Sequence, residues 1–510
     1  MLDANSLWMD EARPFLLCNT DNLESFFALL PQLNPHYAPL DLLVRFFTMK
    51  IFGDSVFIFL LPSVIFSTLG ILIYFFIVKQ MLGKQIAFIH AMLLTIHPLD
   101  IQYAQSGNNY AILNIFVPLS FLFLFKGIKE GKFHNWIWYS FFLSLCFYSH
   151  LITLSVAISQ LVLIIMTCVY MSMTQKKWKN ILKVVFSYGL AGLLSLILFS
   201  PWLYGLYLEG IYPGQGSGGT NYSPIIKIIS KFLAAEKSGL PFLQLPMATF
   251  TIVGCIFLFR ENRNFILRLA SVCIVSYAVA YFATINNFFT IRYIFYLLPL
   301  YLIVPAAGIL NLMDRLGRYV NEVTSQRFGR NTTVVLVCLT LTGLMVLNIP
   351  SVRSGYARHW HGAGQWKDVA QVINERHEKD EFLIIPHWSR PAFSVYSDVP
   401  VYGIQVFDDN EQPDLVSVKA KLNRLTKKDW TDVNLRQESK EEIQSFIDYL
   451  KRNNKTKGRI ALPTNSNWVN VENMRTWVKY FKENSREFKL EHFNKFDLIT
   501  VTLGSADPQD

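Results

Sequence analysis

The feature that most constrains this chain is a succession of long apolar runs joined by short basic loops. From Val56 onward, runs of about 15–25 residues recur, long enough to cross a bilayer as helices. A segment in lipid must satisfy its own backbone N–H and C=O groups, so a helix is the conformation each run is expected to take. Of 510 residues, 52% are hydrophobic and 41 are Phe. A soluble chain of this size would divide into several domains. Here the apolar residues come in blocks, which points to a polytopic α-helical membrane protein.

Ten spans are predicted, near Val56–Val78, Ile86–Pro98, Ala111–Phe125, Trp136–Tyr148, Leu151–Met173, Val184–Tyr207, Leu245–Phe259, Leu267–Ala283, Tyr293–Leu312 and Thr332–Ile349. Several are short for a full crossing, Ile86–Pro98 especially. Alternate loops carry the cations: Lys79 and Lys84; Lys126, Lys129 and Lys132; Lys176, Lys177, Lys179 and Lys183; Arg260, Arg263 and Arg268; Arg315, Arg318, Arg327 and Arg330. The intervening loops hold only Lys227, Lys231, Lys237 and Arg292. By the positive-inside rule the first set is cytoplasmic, and both chain ends then face outward. The net charge of +10 is thus read as topology and not as a nucleic-acid surface. The six Cys lie mostly in apolar runs and read as core residues, not as a disulfide framework or a zinc site.

Three regions follow: residues 1–55 as an outer segment, 56–350 as the membrane domain and 351–510 as an outer domain. Within 13–52, Leu23, Phe26, Phe27 and Leu30, then Leu40, Leu43, Phe46 and Phe47, recur at helical spacing but are too polar in context to cross, so interfacial helices are expected. Ser223-Pro224 carries an N-cap and N1 signal for another such helix. In the tail, "WKDVAQVINERHEKD" has an amphipathic helix pattern, and "EFLIIP", "RIALPT" and "FDLITVTL" are apolar runs of strand length. A small extracytoplasmic α/β domain is expected there.

Candidate site residues each have a plain alternative. Asp10 and Glu11 follow Trp8 by two and three residues. They read either as a solvated patch on a frayed terminus or as a carboxylate pair at a cavity mouth, where partial desolvation raises a base toward its working pH. "HPLDIQYAQSGNNY", His97 to Tyr110, is a connecting loop or the lining for a polar ligand. Arg292, at the outer end of a span, snorkels to the interface or grips an anion, because an arginine at membrane depth is costly otherwise. Lys227 and Lys231 share a helix face and meet either lipid head groups in general or one specific phosphate. "GQGSGG", Gly214 to Gly219, follows no strand and reads as a flexible loop. His359 and His361 flank Trp360 and read as interfacial anchors, since a metal needs more ligands.

Together these stretches resemble the GT-C glycosyltransferases of the bacterial protein O-mannosyltransferase (dolichyl-phosphate-mannose-protein mannosyltransferase-like) and aminoarabinose-transferase group. "SLWMDEA" resembles that group's first outer loop. "NPHYAPLDLLVRFFTMKIFGDS" resembles the stretch after it, "IQYAQSGNNYAIL" the next outer loop, and "IRYIFYLLPLYLIVPAAGI" a late Arg-Tyr…Pro span. "WKDVAQVINERHEKDEFLII" resembles the start of the outer domain. The resemblance implies an inverting sugar transfer from a polyprenyl- or dolichyl-phosphate donor to an acceptor hydroxyl on a protein, lipid or glycan. It implies Asp10 as base and Glu11 as its supporting neighbour. Arg292, Lys227 and Lys231 become candidates for the donor phosphate, and His36, Tyr103, Gln105, Asn108 and Tyr110 for the substrate lining. No cofactor is called for and the residues indicate no metal site. The partners are then the lipid-linked sugar, the acceptor and membrane lipids, with no nucleic acid, in a bacterial plasma membrane.

The chain departs from the group twice. Asn108 stands where many relatives carry Arg, and relatives have a membrane helix ahead of the Trp-x-Asp-Glu loop, where this chain has Met1 to Leu7. The latter leads us to expect either a start farther upstream or a shortened copy. Two other classes compete. A transporter or flippase would show internal repeats and helices broken at mid-membrane, which are not visible here. A non-catalytic scaffold would not need the acid pair or the outer cations.

Overall fold

The computed structural model describes residues 7, 9–33, 39–175, 178–208, 232, 241–284, 291–323, 330–357, 365–378, 381–386, 390–397, 399, 402–404, 447, 450–451, 456–463, 478–493 and 496–503. These fall into two compact units. One comprises Met1–Leu33, Phe46–Phe59 and Arg358–Asp510; the other comprises Asn34–Arg45 and Leu60–Ala357.

Every predicted span falls largely on a helix, the first beginning in the first unit and the others in the second: Val56–Leu82, Lys84–Ile96, Leu113–Glu130, Phe133–Ser149, Leu154–Gln175, Trp178–Leu208, Pro241–Glu261, Arg263–Thr284, Leu298–Val323 and Arg330–Ala357. Six stretches among the described residues are long and apolar enough to cross a membrane: Val56–Leu82, Leu151–Thr174, Trp178–Tyr204, Arg263–Phe282, Arg292–Val323 and Thr332–Ile349. Lys84–Ile96 has 13 residues and so rises only about 20 Å, short of a hydrocarbon core of about 30 Å. The helices also outrun the apolar runs. Lys79, Lys183, Arg268, Arg315 and Arg318, expected in loops, sit on helical turns at the ends of their elements.

Outward faces of these helices are apolar. Phe76, Ile165, Phe186, Ile274 and Leu339 are exposed, a pattern that water would not tolerate over so large an area and lipid does. Cys255 and Cys338 lie on such faces, which corrects their expected place in the core; Cys18 and Cys146 are buried. The helix Leu298–Val323 is the exception, its first half being almost wholly buried, with Leu302 to Ile309 buried without a break. It meets Pro241–Glu261 at backbone contact. A Cβ on Gly308 would overlap the Phe250 carbonyl oxygen, and one on Gly254 would overlap that of Val304. Small residues at a crossing let helices approach closely where lipid supplies no hydrophobic drive.

In the first unit, three helices, Met9–Cys18, Leu23–Leu33 and Pro39–Phe52, replace the expected two over 13–52, the last shared with the second unit. Of the apolar residues at helical spacing, Phe26, Leu30 and Phe46 are buried, and Leu23, Phe27 and Phe47 are exposed. In Pro39–Phe52 the buried stripe runs through Asp41, Leu42, Arg45, Phe46 and Met49, because the chain buries an ion pair that hydropathy assigns to the surface.

The tail forms a mixed sheet in the order β2-β1-β3-β5-β4. β1 (Phe382–Pro386) pairs in parallel with β2 (Tyr402–Ile404) and β3 (Lys457–Pro463), and β5 (Phe496–Leu503) pairs antiparallel with β3 and β4 (Ser485–His492). The three predicted strands are β1, β3 and β5. β4, "SREFKLEH", is a charged strand on the sheet edge, and such strands carry little hydropathy signal. The predicted helix spans Gln365–Arg376 and buries Trp366, Val369, Ala370 and Ile373, a spacing of three, four and seven residues.

Candidate functional site

The acid pair lies in the first unit. The helix starts at Met9, so Asp10 and Glu11 are its second and third residues. Glu11 is half-buried. Pro14 lies inside this helix and has no N–H to give the Asp10 carbonyl, so the turn carrying the acids lacks one of its bonds. Farther along, Phe15 meets Phe59 edge to face at 5.4 Å. The Trp8 ring and the Asp10 carboxylate lie outside what the structure describes, as do His36, Lys227, Lys231, the Ser223-Pro224 helix start, Gly214–Gly219 and His359–His361.

The second unit holds the remaining candidates. His97–Tyr110, expected as a loop, begins with a short helix, Pro98–Ala104. His97 is its N-cap: the Leu99 N–H donates to His97 Nδ1 at 3.2 Å, and Pro98 takes the first helical position. The His-Pro pair was a capping signal in the sequence that hydropathy alone passes over. On this helix Asp100 is buried, accepting hydrogen bonds from the Ser67 hydroxyl at 2.8 Å and the Asn114 amide at 3.2 Å. Burial pushes its carboxyl up to about 7 against the pull of those two donors.

Three of the predicted lining and phosphate residues meet in one aromatic cluster. The Tyr103 ring lies 4.4 Å from Phe295 and 5.4 Å from Tyr110. Tyr110 reaches His150 at 5.5 Å, and His150 meets the Tyr293 ring edge to face at 6.2 Å. The Arg292 guanidinium stands 5.4 Å over that same Tyr293 ring, a cation–π contact. Tyr103, Tyr110, Phe295 and His150 are buried, while Arg292 and Tyr293 are half-buried at the edge. Phe295, Tyr293 and His150 were not singled out in the sequence. The two aromatics follow Arg292 by one and three residues in "TIRYIFY", a signal available there; His150 had none, since a lone histidine after an apolar run is commonplace.

Gln105 and Asn108 hold the loop itself. The Gln105 N–H closes the short helix on the Gln102 carbonyl at 3.2 Å. The Asn108 amide donates to the Ser106 hydroxyl at 2.7 Å. From the neighbouring helix, Arg45 donates to both Asp41 oxygens, at 2.7 and 3.3 Å, to the Ser63 hydroxyl at 2.6 Å and to the Asn108 carbonyl at 3.3 Å. Ser63 in turn donates to the Ser106 carbonyl at 2.6 Å. An Asp and an Arg four residues apart inside an apolar segment were the signal for this network. Among the described residues no three His, Cys, Asp or Glu side chains gather as a metal site would require.

Residues 37–204 match the family model described as "Dolichyl-phosphate-mannose-protein mannosyltransferase". That stretch includes the Arg45 network, the His97–Tyr110 segment and His150. The sequence has no match among curated proteins. Among solved structures, ArnT from Cupriavidus metallidurans in the apo state is similar, at 12% identity and a TM-score of 0.62, covering 98% of this chain and 94% of that one. The same protein bound to undecaprenyl phosphate is similar at 13% identity and a TM-score of 0.59, covering 100% and 96%. The fold is thus the GT-C type: a multi-pass helical membrane protein with a small sheet domain at its C-terminal end.

Proposed function

We propose that this chain is an inverting glycosyltransferase that takes a sugar from a polyprenyl- or dolichyl-phosphate donor and moves it to an acceptor hydroxyl. The observation that carries the reading is the coincidence of two likenesses. A mannosyltransferase family model matches residues 37–204, and the ArnT fold extends over the whole chain. ArnT in one of those structures is bound to undecaprenyl phosphate, which supports a lipid-phosphate donor here.

In this reading the acceptor oxygen attacks the anomeric carbon as the bond from that carbon to the phosphate oxygen breaks. The acceptor proton passes to the Asp10 carboxylate, with Glu11 beside it, and the lipid phosphate leaves with the bonding electron pair. A hydroxyl is a weak nucleophile, so a positioned base contributes about 10²–10⁴ in rate. The phosphate gains charge as it leaves and needs cations placed for it; Arg292, on its tyrosine, and Lys227 and Lys231 take that role. Tyr103, Tyr110, Gln105, Asn108 and His36 form the lining. Transfer takes place at the outer face of a bacterial plasma membrane, on the side that also bears the C-terminal domain.

The test is transfer of labelled sugar from a lipid extract by membranes carrying Asp10→Asn. The amide keeps the carboxylate's shape and cannot accept the proton, so transfer falls about 10²–10⁴-fold at unchanged protein level. Full transfer by Asp10→Asn membranes would remove the base from the reading.

A further inference from the structure

The acid pair sits on a turn that its own helix holds incompletely, and the residue that secures it comes from nearly four hundred positions away. The Leu7 N–H donates to the Tyr396 hydroxyl oxygen at 2.8 Å. Leu7 is buried and lies three residues ahead of Asp10, so this bond fixes the backbone where it enters the helix. Pro14 withholds an N–H from the Asp10 carbonyl, so the turn depends on such an anchor more than an ordinary helix start does. The anchor is itself held. Asn374, on the helix Gln365–Arg376, donates to the Tyr396 carbonyl at 3.2 Å and accepts from the Ser397 hydroxyl at 2.6 Å. Beside it, the short helix Arg390–Ser394 packs on Met9–Cys18, and its Phe393 is fully buried with the Trp366 ring edge to face at 6.3 Å. Acid segment and tail fall in one compact unit.

From this geometry we propose that Tyr396 is a positioning residue for the Asp10–Glu11 turn, so that the C-terminal domain completes the catalytic machinery. The inference rests on the proposed role of Asp10. Tyr396 touches no reacting atom. It acts by holding the backbone from which the base projects, and a base misplaced by an ångström loses much of its effect.

Tyr396→Phe removes one oxygen and keeps the ring. Full-length protein in membranes, normalised for protein level, is assayed for kcat and for KM toward the lipid-phosphate sugar, in native and Asp10→Asn backgrounds. We expect kcat to fall about tenfold with KM within twofold in the native background, and no further loss in the Asp10→Asn background. Asn374→Ala, one step removed, should give a smaller loss of the same kind, and it carries the test should Tyr396→Phe not accumulate. Native kcat in both variants overturns the inference, as does a KM effect with kcat intact or an equal loss in the Asp10→Asn background. Those outcomes leave the proposed reaction standing. Full transfer by Asp10→Asn alone overturns the base assignment and this inference with it.

Discussion

Arg45 and Asp41 form a two-point ion pair four residues apart on one helix, with side chains only 0% and 1% exposed. Removing one partner strands a buried charge, which typically costs about 3–5 kcal/mol, whereas replacing both by apolar residues is often neutral or stabilising. Arg45→Met should therefore lower the unfolding temperature in detergent strongly, and Asp41→Leu/Arg45→Met should recover most of it. The double variant still lacks the donor to the Asn108 carbonyl, so it should fold and yet bind lipid phosphate more weakly. A single variant as stable as the double would show that the charge is not effectively buried.

The crossing at Gly308 makes a sharper steric prediction. A methyl there meets the Phe250 carbonyl, which belongs to a helix and cannot turn aside, so Gly308→Ala should destabilise by about 1–3 kcal/mol. Gly343, also within a helix, has nothing within 4 Å of its would-be Cβ. Gly343→Ala should be neutral or slightly stabilising, since alanine is the better helix former. Thermal unfolding of the two variants side by side separates packing from propensity.

Asp100 supplies a pH signature. Its carboxyl sits at about 7, up from an ordinary value of 3.8. The folded state thus holds a proton that the unfolded state releases, so this group's stabilisation is fully present below 3.8 and is lost as pH rises to about 7. Asp100→Asn does not titrate. The difference in unfolding temperature between wild type and Asp100→Asn should shift in wild type's favour as pH falls from 8 to 5. A constant difference across that range would mean that Asp100 is solvated.

Arg292 is expected to act through its planar fork. Arg292→Lys keeps the charge but loses two-point contact with an anion and the stacking on Tyr293. Sugar transfer should drop at least tenfold while protein level holds. Native transfer by the lysine variant would return Arg292 to an interfacial anchor.

Topology is tested by reporter fusions. Those after Lys84, Lys132, Lys183, Arg268 and Arg330 should report cytoplasm, and one at Asp510 the outside. A cytoplasmic report at Asp510 would separate the tail from an outward-facing reaction.

What the sequence determined by itself is whatever a local rule governs. Each apolar run became a helix because a chain in lipid must satisfy its own backbone, and that demand is written residue by residue. The helix at Gln365–Arg376 and the strands β1, β3 and β5 were legible for a similar reason: their apolar spacing matches the period of the element. Tertiary structure alone decided what distant segments do to one another. A window around Asp41 and Arg45 shows the charged pair but not its burial, which is offset by partners such as Ser63 and the Asn108 carbonyl, 18 and 63 positions from Arg45. Nothing near His150 says that its ring bridges Tyr110 and Tyr293. The three-residue β2 and the charged edge strand β4 exist through the partners they pair with. And the bond from Leu7 to Tyr396 joins residues 389 positions apart: a single hydrogen bond leaves no periodicity in either segment, so only the folded chain reveals it.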